Sequence, residues 1–332
     1  MPLRDLLATL LVMGNLATAE RIPPAEQPPR KITVATVMAG FNGSADERAT
    51  AIAKLIAEAR VAAQPQRLDL LVLPEYALQR PGTLVRDRAL AIDDPAVRAV
   101  GEAARAADAW VVLPLILRED ASCANAAVLL DRAGMVAGVY RKAHPIVEAD
   151  GSFEGGVTPG RVFPVFTTDF GRLGIQICWD MAHEKGWKAL AAAGAELVAL
   201  PSASPQSVRP ASYAQRFRYW VVSATPRDNV SVYDPLGLVA ARREQPGVLL
   251  HRFDLSAAVV HWNPRIEEGR AFTRAFPARG GFRWSAREDT GLFWSDDPAM
   301  TIGAMLRQLQ VETMDAQVAR IAAELARTAP AP

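Results

Sequence analysis

Between Lys31 and Leu255 the chain switches repeatedly between two hydrophobic periods. Lys31 to Met38 is apolar and β-branched, which predicts a strand buried on both faces. Ala45 to Ala62 then places Ile52, Leu55, Ile56 and Ala59 at helical spacing and predicts the helix that follows. Leu70 to Pro74 reads as the next strand, with Glu75 directly after it. Pro95 to Ala107 predicts a helix and Trp110 to Leu117 a strand. The apolar runs Ala126 to Leu130 and Val136 to Tyr140 flank Asp131-Arg-Ala-Gly134, a turn sequence that predicts a hairpin. Leu173 to Ile177 and Leu197 to Leu200 are further strands, separated by a helix over Glu184 to Ala193 that stops at Gly194. Tyr213 to Trp220 closes another helix, and Val221 to Ala224 and Val230 to Tyr233 are strands. Asp234 to Gly237 is a turn by composition, and Val248 to Phe253 reads as the last strand. Strands alternating with helices predict an α/β protein, and the hairpins predict mixed rather than wholly parallel sheets.

The pattern changes beyond Leu255. Trp262 to Trp294, rich in Arg, Gly and aromatics, has loop character, and Thr301 to Leu325 carries an apolar stripe that predicts one amphipathic helix. Residues 256–332 are thus a C-terminal extension with a helix at 301–325, on a main domain at 31–255. Ahead of that domain, residues 1–19 have the order of a signal peptide: Arg4, the apolar run Leu6 to Met13, then Ala17-Thr-Ala19. Residues 20–30, with Pro23, Pro24, Pro28 and Pro29, are an extended tether. The expectation is an exported protein, periplasmic or secreted, cleaved near Ala19; an ordinary N-terminal helix there would instead mean a cytoplasmic one.

Of the 332 residues, 50% are hydrophobic and 22% charged, enough for a sizeable core. Thirty-seven Lys and Arg against 36 Asp and Glu leave a formal net charge of +1, so no strong field favours nucleic acid. After the N-terminal stretch no run is long and apolar enough to predict a membrane span. With only Cys123 and Cys178, no disulfide framework supports the fold, although a bridge between the two would abolish thiolate chemistry. The four histidines form no metal-ligand motif: His183-Glu184 begins like a zinc site, but position 187 is Trp.

Three chemically useful residues each follow an apolar strand: Glu75, Lys142 and Cys178. If those strands are neighbours, a carboxylate, an ammonium and a thiol converge at one edge. They would supply a general base, a fixed cation for developing negative charge, and a nucleophile, the parts needed for acyl transfer. A helix N-terminus after Cys178, and Lys142 beside it, would favour the thiolate. Singly, each has a structural alternative: a buried thiol, a helix N-terminal acid, a solvated strand-end cation.

The case rests on the joint pattern. Leu73-Pro-Glu75, Tyr140-Arg-Lys-Ala-His-Pro145 and Cys178-Trp-Asp180 resemble the three motifs of the carbon-nitrogen hydrolase, or nitrilase, superfamily, in the same order. Thr158-Pro-Gly160, Gly194-Ala-Glu196 and Tyr233-Asp-Pro-Leu-Gly237 agree with it, so the resemblance covers about Lys31 to Leu255. It implies a four-layer αββα sandwich, no metal or organic cofactor, and assembly into a homodimer or higher homo-oligomer. It implies Glu75 as general base, Cys178 as the nucleophile that forms a thioester, and Lys142 as oxyanion stabiliser, with the Trp179 backbone N–H as a second donor. A supporting glutamate falls on Glu154, with Glu148 as its rival. His144 is expected to orient a loop, and Asp180 to fix the turn after Cys178.

Gln215-Arg-Phe-Arg-Tyr-Trp220 departs from the Arg-Ala-x-x-Asn-type stretch of relatives; there Arg218, like Arg209 nearby, could approach an anionic substrate or sit in surface ion pairs. The expected function is hydrolysis of a non-peptide C–N bond in a small amide. Nitrile hydrolysis and N-acyl transfer use the same three residues. A catalytically silent binding or assembly module is the alternative of another class; it gives no reason to keep all three.

Overall fold

The computed structural model describes residues 22–328, so the signal-like segment lies outside the described residues. The strands are β1 (Lys31–Met38), β2 (Leu70–Val72), β3 (Trp110–Glu119), β4 (Ser122–Leu130), β5 (Val136–Arg141), β6 (Val165–Thr167), β7 (Arg172–Ile175) and β8 (Leu197–Pro201). They continue as β9 (Trp220–Ala224), β10 (Val230–Tyr233), β11 (Val239–Arg243), β12 (Gly247–Asp254), β13 (Ala258–His261), β14 (Gly280–Ser285) and β15 (Thr290–Ser295). One six-stranded sheet has the order β12-β1-β2-β3-β4-β5, and a second has the order β11-β10-β9-β8-β7-β6. Both are mixed: β1, β2 and β3 run parallel, as do β7, β8 and β9, while the outer pairings are antiparallel.

The sheets face each other through an apolar layer to which Ile32, Val34, Val72 and Val112 contribute from one side and Leu173, Ile175, Ala199 and Val222 from the other. Helices α1 (Ala45–Ala62) and α2 (Pro95–Ala107) cover the outer face of the first sheet, packing Ile52, Ile56, Val97 and Val100 on Ala35, Val37 and Leu71. Helices α3 (Glu184–Ala192) and α4 (Val208–Phe217) cover the second, with Trp187 stacked on Tyr213 at 4.6 Å. The layers are therefore αββα. Burial on both faces explains why the central strands read as continuous apolar runs. Helix starts follow local chemistry: Ser44 and Glu47 form a capping box before α1, and Asp94 caps α2 with Pro95 in its first turn.

Three expectations need correction. The helix expected through Trp220 ends at Phe217, because Arg218 is left-handed (φ 54°) and Trp220 already belongs to β9. The loop expected over 262–294 contains a short helix, α5 (Arg270–Ala275), and two strands, β14 and β15, which with β13 form a three-stranded antiparallel sheet. Their pairing is carried by Gly and aromatic positions rather than by the β-branched alternation that marks a strand in sequence. The single helix expected over 301–325 is two, α6 (Ile302–Gln308) and α7 (Met314–Thr328), broken where Gln310 takes φ 55° and Val311 N–H bonds back to Leu306 O at 2.9 Å. Ile302, Met305 and Leu306 of α6 pack against the small sheet, whereas α7 buries no residue and exposes Val318, Ile321 and Leu325. Among the described residues, no helix is long and apolar enough to cross a membrane.

Candidate active site

Glu75, Lys142 and Cys178 emerge at one end of the facing sheets. Lys142 follows β5, where its N–H donates to Asn125 O of β4 at 2.8 Å. Tyr140, two residues earlier, points into the layer between the sheets, so by strand alternation the Lys142 side chain does too. Its side chain is only 2% exposed. Lys142 Nζ donates to Glu75 Oε1 at 3.0 Å and to Glu154 Oε1 in a very short contact. Burial by itself would lower the Lys142 pKa; the Glu75 carboxylate, Cys178 and Glu154 together hold it above the ordinary lysine range.

Glu75 closes β2 in a tight turn where Tyr76 takes φ 61°. Its Oε2 accepts the Ala203 N–H at 2.9 Å, just beyond β8, so Glu75 of one sheet is tied to the other. Glu154 reaches the lysine from a loop that folds back on itself, with Glu148 N–H bonded to Ser152 O and Glu154 N–H to Ile146 O. Gly160 N–H fastens the end of that loop to Lys142 O at 2.8 Å, and a side chain at Gly160 would run into the Arg141 carbonyl. Of the two glutamates considered from sequence, Glu154 meets Lys142; Glu148 lines the same cleft without bonding it.

Cys178 sits at φ 44°, a left-handed conformation uncommon for a side chain with a Cβ, and turns the chain sharply out of the strand direction. Burial, and next the Glu75 charge, push its thiol up to about 11 from an ordinary 9.0. Lys142, the Ser202 hydroxyl and the Ala203 N–H pull the other way and do not prevail. The expected resting thiolate is corrected accordingly: the desolvated thiol keeps its proton, and only a short 3-10 turn, Cys178–Ala182, follows it. Cys123 is also a free thiol, so no bridge joins the two.

Asp180 is fully buried and holds the turn in place. Its Oδ2 accepts Ile177 N–H at 3.0 Å and the Tyr140 hydroxyl at 2.7 Å; its Oδ1 accepts His144 N–H at 2.8 Å and lies 3.0 Å from His144 Nδ1. His144 also stacks on His183 at 4.1 Å and is held as an orienting residue. Trp179 is partly exposed, with the Arg209 guanidinium 5.8 Å from its ring centroid. Arg218 is ion-paired to Asp315 of α7, so the surface alternative holds for it.

Sequence reasoning missed Asn125. Its Nδ2 donates to Glu75 Oε1 at 2.7 Å and to Glu154 Oε2 at 2.9 Å, joining the two carboxylates that Lys142 also bonds. The available signal was one amide inside the apolar run Ala124 to Leu130. Tyr76 was missed as well: its hydroxyl donates to Glu154 Oε2 at 3.1 Å, and burial, then the Glu75 and Glu154 charges, raise its pKa and keep it protonated. The cleft in front of these groups has a volume of about 350 Å³, with Tyr76, Ile116, Ile146 and Ala203 on its walls. A larger cavity of about 550 Å³ lies away from Cys178, between the β12 edge and the small C-terminal sheet. Glu75, Lys142 and Cys178 line the smaller one.

The family model for carbon-nitrogen hydrolase matches residues 33–259. Among curated proteins, the chain is 30% identical over 180 residues to a citrullinase of Francisella tularensis, covering 52% of this chain and 61% of that one. It is 32% identical over 160 residues to human deaminated glutathione amidase, covering 40% of this chain and 48% of that one. The matches thus span about half to three fifths of these relatives. Among solved structures, the fold resembles that of Saccharomyces cerevisiae Nit3, a member of branch 10 of the nitrilase superfamily, with a TM-score of 0.60 at 21% identity, covering 75% of this chain and 95% of that one.

Proposed function

The chain belongs to the carbon-nitrogen hydrolase family, and from that premise we propose an amidase that cleaves a non-peptide C–N bond through a thioester on Cys178. One observation carries the reading: a buried Lys142 Nζ bonded to both Glu75 and Glu154 beside a cleft that Cys178 lines. The relatives named an amidase and a citrullinase support amide-type over nitrile substrates.

Because the thiol rests protonated, attack requires a base, and Glu75 supplies it. Glu75 takes the Cys178 proton as sulfur adds to the amide carbon, and the negative charge on the former carbonyl oxygen is met by the Lys142 ammonium and the Trp179 N–H. Collapse breaks the C–N bond, the leaving nitrogen takes the proton from Glu75, and ammonia or an amine departs. A water deprotonated by Glu75 then opens the thioester, returning the acid and the free thiol. Glu154 and Asn125 hold Lys142 and Glu75 in register throughout. The reading extends to an exported enzyme, cleaved near Ala19, that works as a homodimer or larger homo-oligomer; N-terminal sequencing of secreted native protein and its mass in solution test both.

The central test measures ammonia and acid release from amides, ureido acids and nitriles by the wild type and Cys178→Ala, with mass spectrometry of quenched reactions. Acylation of Cys178 and loss of turnover in the variant are expected. Equal turnover by the two proteins would sink the covalent mechanism.

A further inference from the structure

The larger cavity, of about 550 Å³, takes no part in this mechanism and is walled by all three sheets. One wall is the C-terminal sheet. Gly281 pairs with Trp294 and Arg283 with Leu292, two residues apart on each strand, so all four positions share one face. Phe282 and Phe293 take the opposite face into the C-terminal core. A Cβ at Gly281 would run into the Trp294 ring, so the indole lies across the glycine. The other wall is also aromatic. Trp220 of β9 stacks on Phe253 of β12 with centroids 4.0 Å apart, and His251, on the same face of β12, lies 5.9 Å from Phe253 and 6.3 Å from Trp220. A volume in the usual range of small-molecule sites thus opens between two sets of rings, a shape suited to a flat molecule.

The charges around the cavity decide what that molecule carries. Lys31, Asp234, Arg252, Asp254 and Arg283 all border it. Lys31 is paired to Asp296, and Arg252 alternates with His251 and Phe253 along β12, which turns its side chain to the other face. Both acids are closed off. Asp234 is 1% exposed, with its Oδ1 taken by the N–H groups of Leu236 and Leu238 and its Oδ2 by Arg283 Nη1 at 2.9 Å. Asp254 Oδ1 accepts the N–H groups of Arg30 and Ser256, and its Oδ2 has no solvent-accessible surface with which to meet a ligand. Arg283, by contrast, is 40% exposed, and a second bond to Val239 O at 3.1 Å fixes its plane. His251 adds no charge at pH 7, since burial, and next the Arg283 charge, hold its pKa below the ordinary histidine range. The accessible charge is therefore that of one oriented guanidinium.

We infer that this cavity is a second ligand site, separate from the Cys178 cleft, and that it takes a planar aromatic carboxylate, the ring lying between Trp294 and the Trp220–Phe253 stack and the carboxylate meeting Arg283. A saturated ring of equal size loses the ring-to-ring contacts, and an uncharged aromatic leaves the guanidinium unanswered. Asp234 competes with the ligand for Arg283, so the affinity is set by how much of the guanidinium the acid holds.

Calorimetric titration of the Cys178→Ala protein with 2-naphthoate, 2-naphthylmethanol and decalin-2-carboxylate tests this. The naphthoate is expected to bind about tenfold or more tighter than the alcohol, as for one charge-assisted hydrogen bond, and roughly severalfold tighter than the saturated acid. Arg283→Gln should erase the advantage of the carboxylate, whereas Asp234→Asn, which removes the competing acid, should enlarge it; a purely structural ion pair would move neither. Trp294→Leu should erase the advantage of the flat ring, and Ala240→Phe, which fills the cavity from β11, should abolish binding. Arg88→Gln, on the wall of the Cys178 cleft, should change nothing. Thermal melts identify any variant that does not fold, and the others then decide. No binding of the naphthoate, equal affinity for the three compounds, or an order that none of the folded cavity variants alters overturns the inference. So does binding that falls in Arg88→Gln and survives Ala240→Phe, which would put the acid in the Cys178 cleft. None of these readings depends on turnover, so failure of the amidase function leaves the second site standing, and the reverse holds equally.

Discussion

The Asp180 carboxylate accepts the His144 backbone N–H at 2.8 Å, and so fastens the turn two residues beyond Cys178 to the segment two residues beyond Lys142. Those segments belong to different sheets, and the alignment of Cys178 with Lys142 depends on this buried link. An amide at position 180 has the right shape but cannot accept from both sides, so it would set N–H against N–H at His144 or at Ile177. Asp180→Asn is expected to destabilise the fold by about 1.5–3 kcal/mol and to lower kcat/KM. Tyr140→Phe, which removes one donor only, should cost less. Urea denaturation and steady-state kinetics of both variants check this; unchanged midpoints and turnover would show that the link does not hold the site.

The resting protonation of Cys178 gives a second expectation, read by alkylation rate against pH in a Cys123→Ser background. With the thiol pushed up to about 11, labelling should be slow at neutral pH and rise through the alkaline range rather than near 9. Lys142→Ala should move the midpoint higher, since a cation that favours the thiolate is gone, and Glu75→Gln should move it lower. The linkage sign follows. A pKa raised by folding contributes stability that is complete below the unfolded value of about 8.5 and lost as pH climbs through the folded one. A midpoint at or below 9 would contradict the desolvated thiol.

Asn125 supplies a third. It bonds both carboxylates, and its own Oδ1 is buried with no partner among the described residues, so it sits there for its two donors. Asn125→Ala should lower kcat about tenfold to a hundredfold, the equivalent of a charge-assisted hydrogen bond, with little change in KM. Asn125→Asp should be worse, because it brings a third carboxylate to the pair. If the aspartate variant matches wild type in turnover at neutral pH, the amide is not what sets the carboxylates.

Why Glu75, Lys142 and Cys178 stand out in the sequence while Asn125 does not has a physical answer. Glu75, Lys142 and Cys178 each interrupt an apolar run at its end, and a polar residue there must face the sheet edge. Asn125 lies within a strand, and its partners are 50 and 29 residues away, so only the folded chain, where the Lys142 N–H bonds the Asn125 carbonyl just beyond the β4–β5 pairing, reveals its role. The four layers followed only from the family resemblance, whereas the α/β character was legible because strands buried on both faces and one-sided helices differ in period. The third sheet was not: Gly281 pairs with Trp294 and Trp284 with Gly291, so bulk on one strand fills space left by glycine on the other, and neither strand alternates by itself. The thiol pKa was misjudged for a similar reason, since burial depends on which loops close over a strand end.

The last expectation separates charge balance from catalysis at Lys142. Its ammonium lies between two carboxylates, so Lys142→Met leaves Glu75 and Glu154 facing each other without a cation. Breaking a buried ion pair from one side costs about 3–5 kcal/mol, and turnover should fall on the order of 10²–10³ when an oxyanion donor is lost. Adding Glu154→Gln removes one of the repelling charges. The double variant should therefore regain much of the stability, by thermal melts and denaturant midpoints, while turnover stays low because nothing cationic meets the developing oxyanion. Should turnover return with stability, Lys142 only neutralises its neighbours, and the oxyanion would have to be held by backbone N–H groups alone.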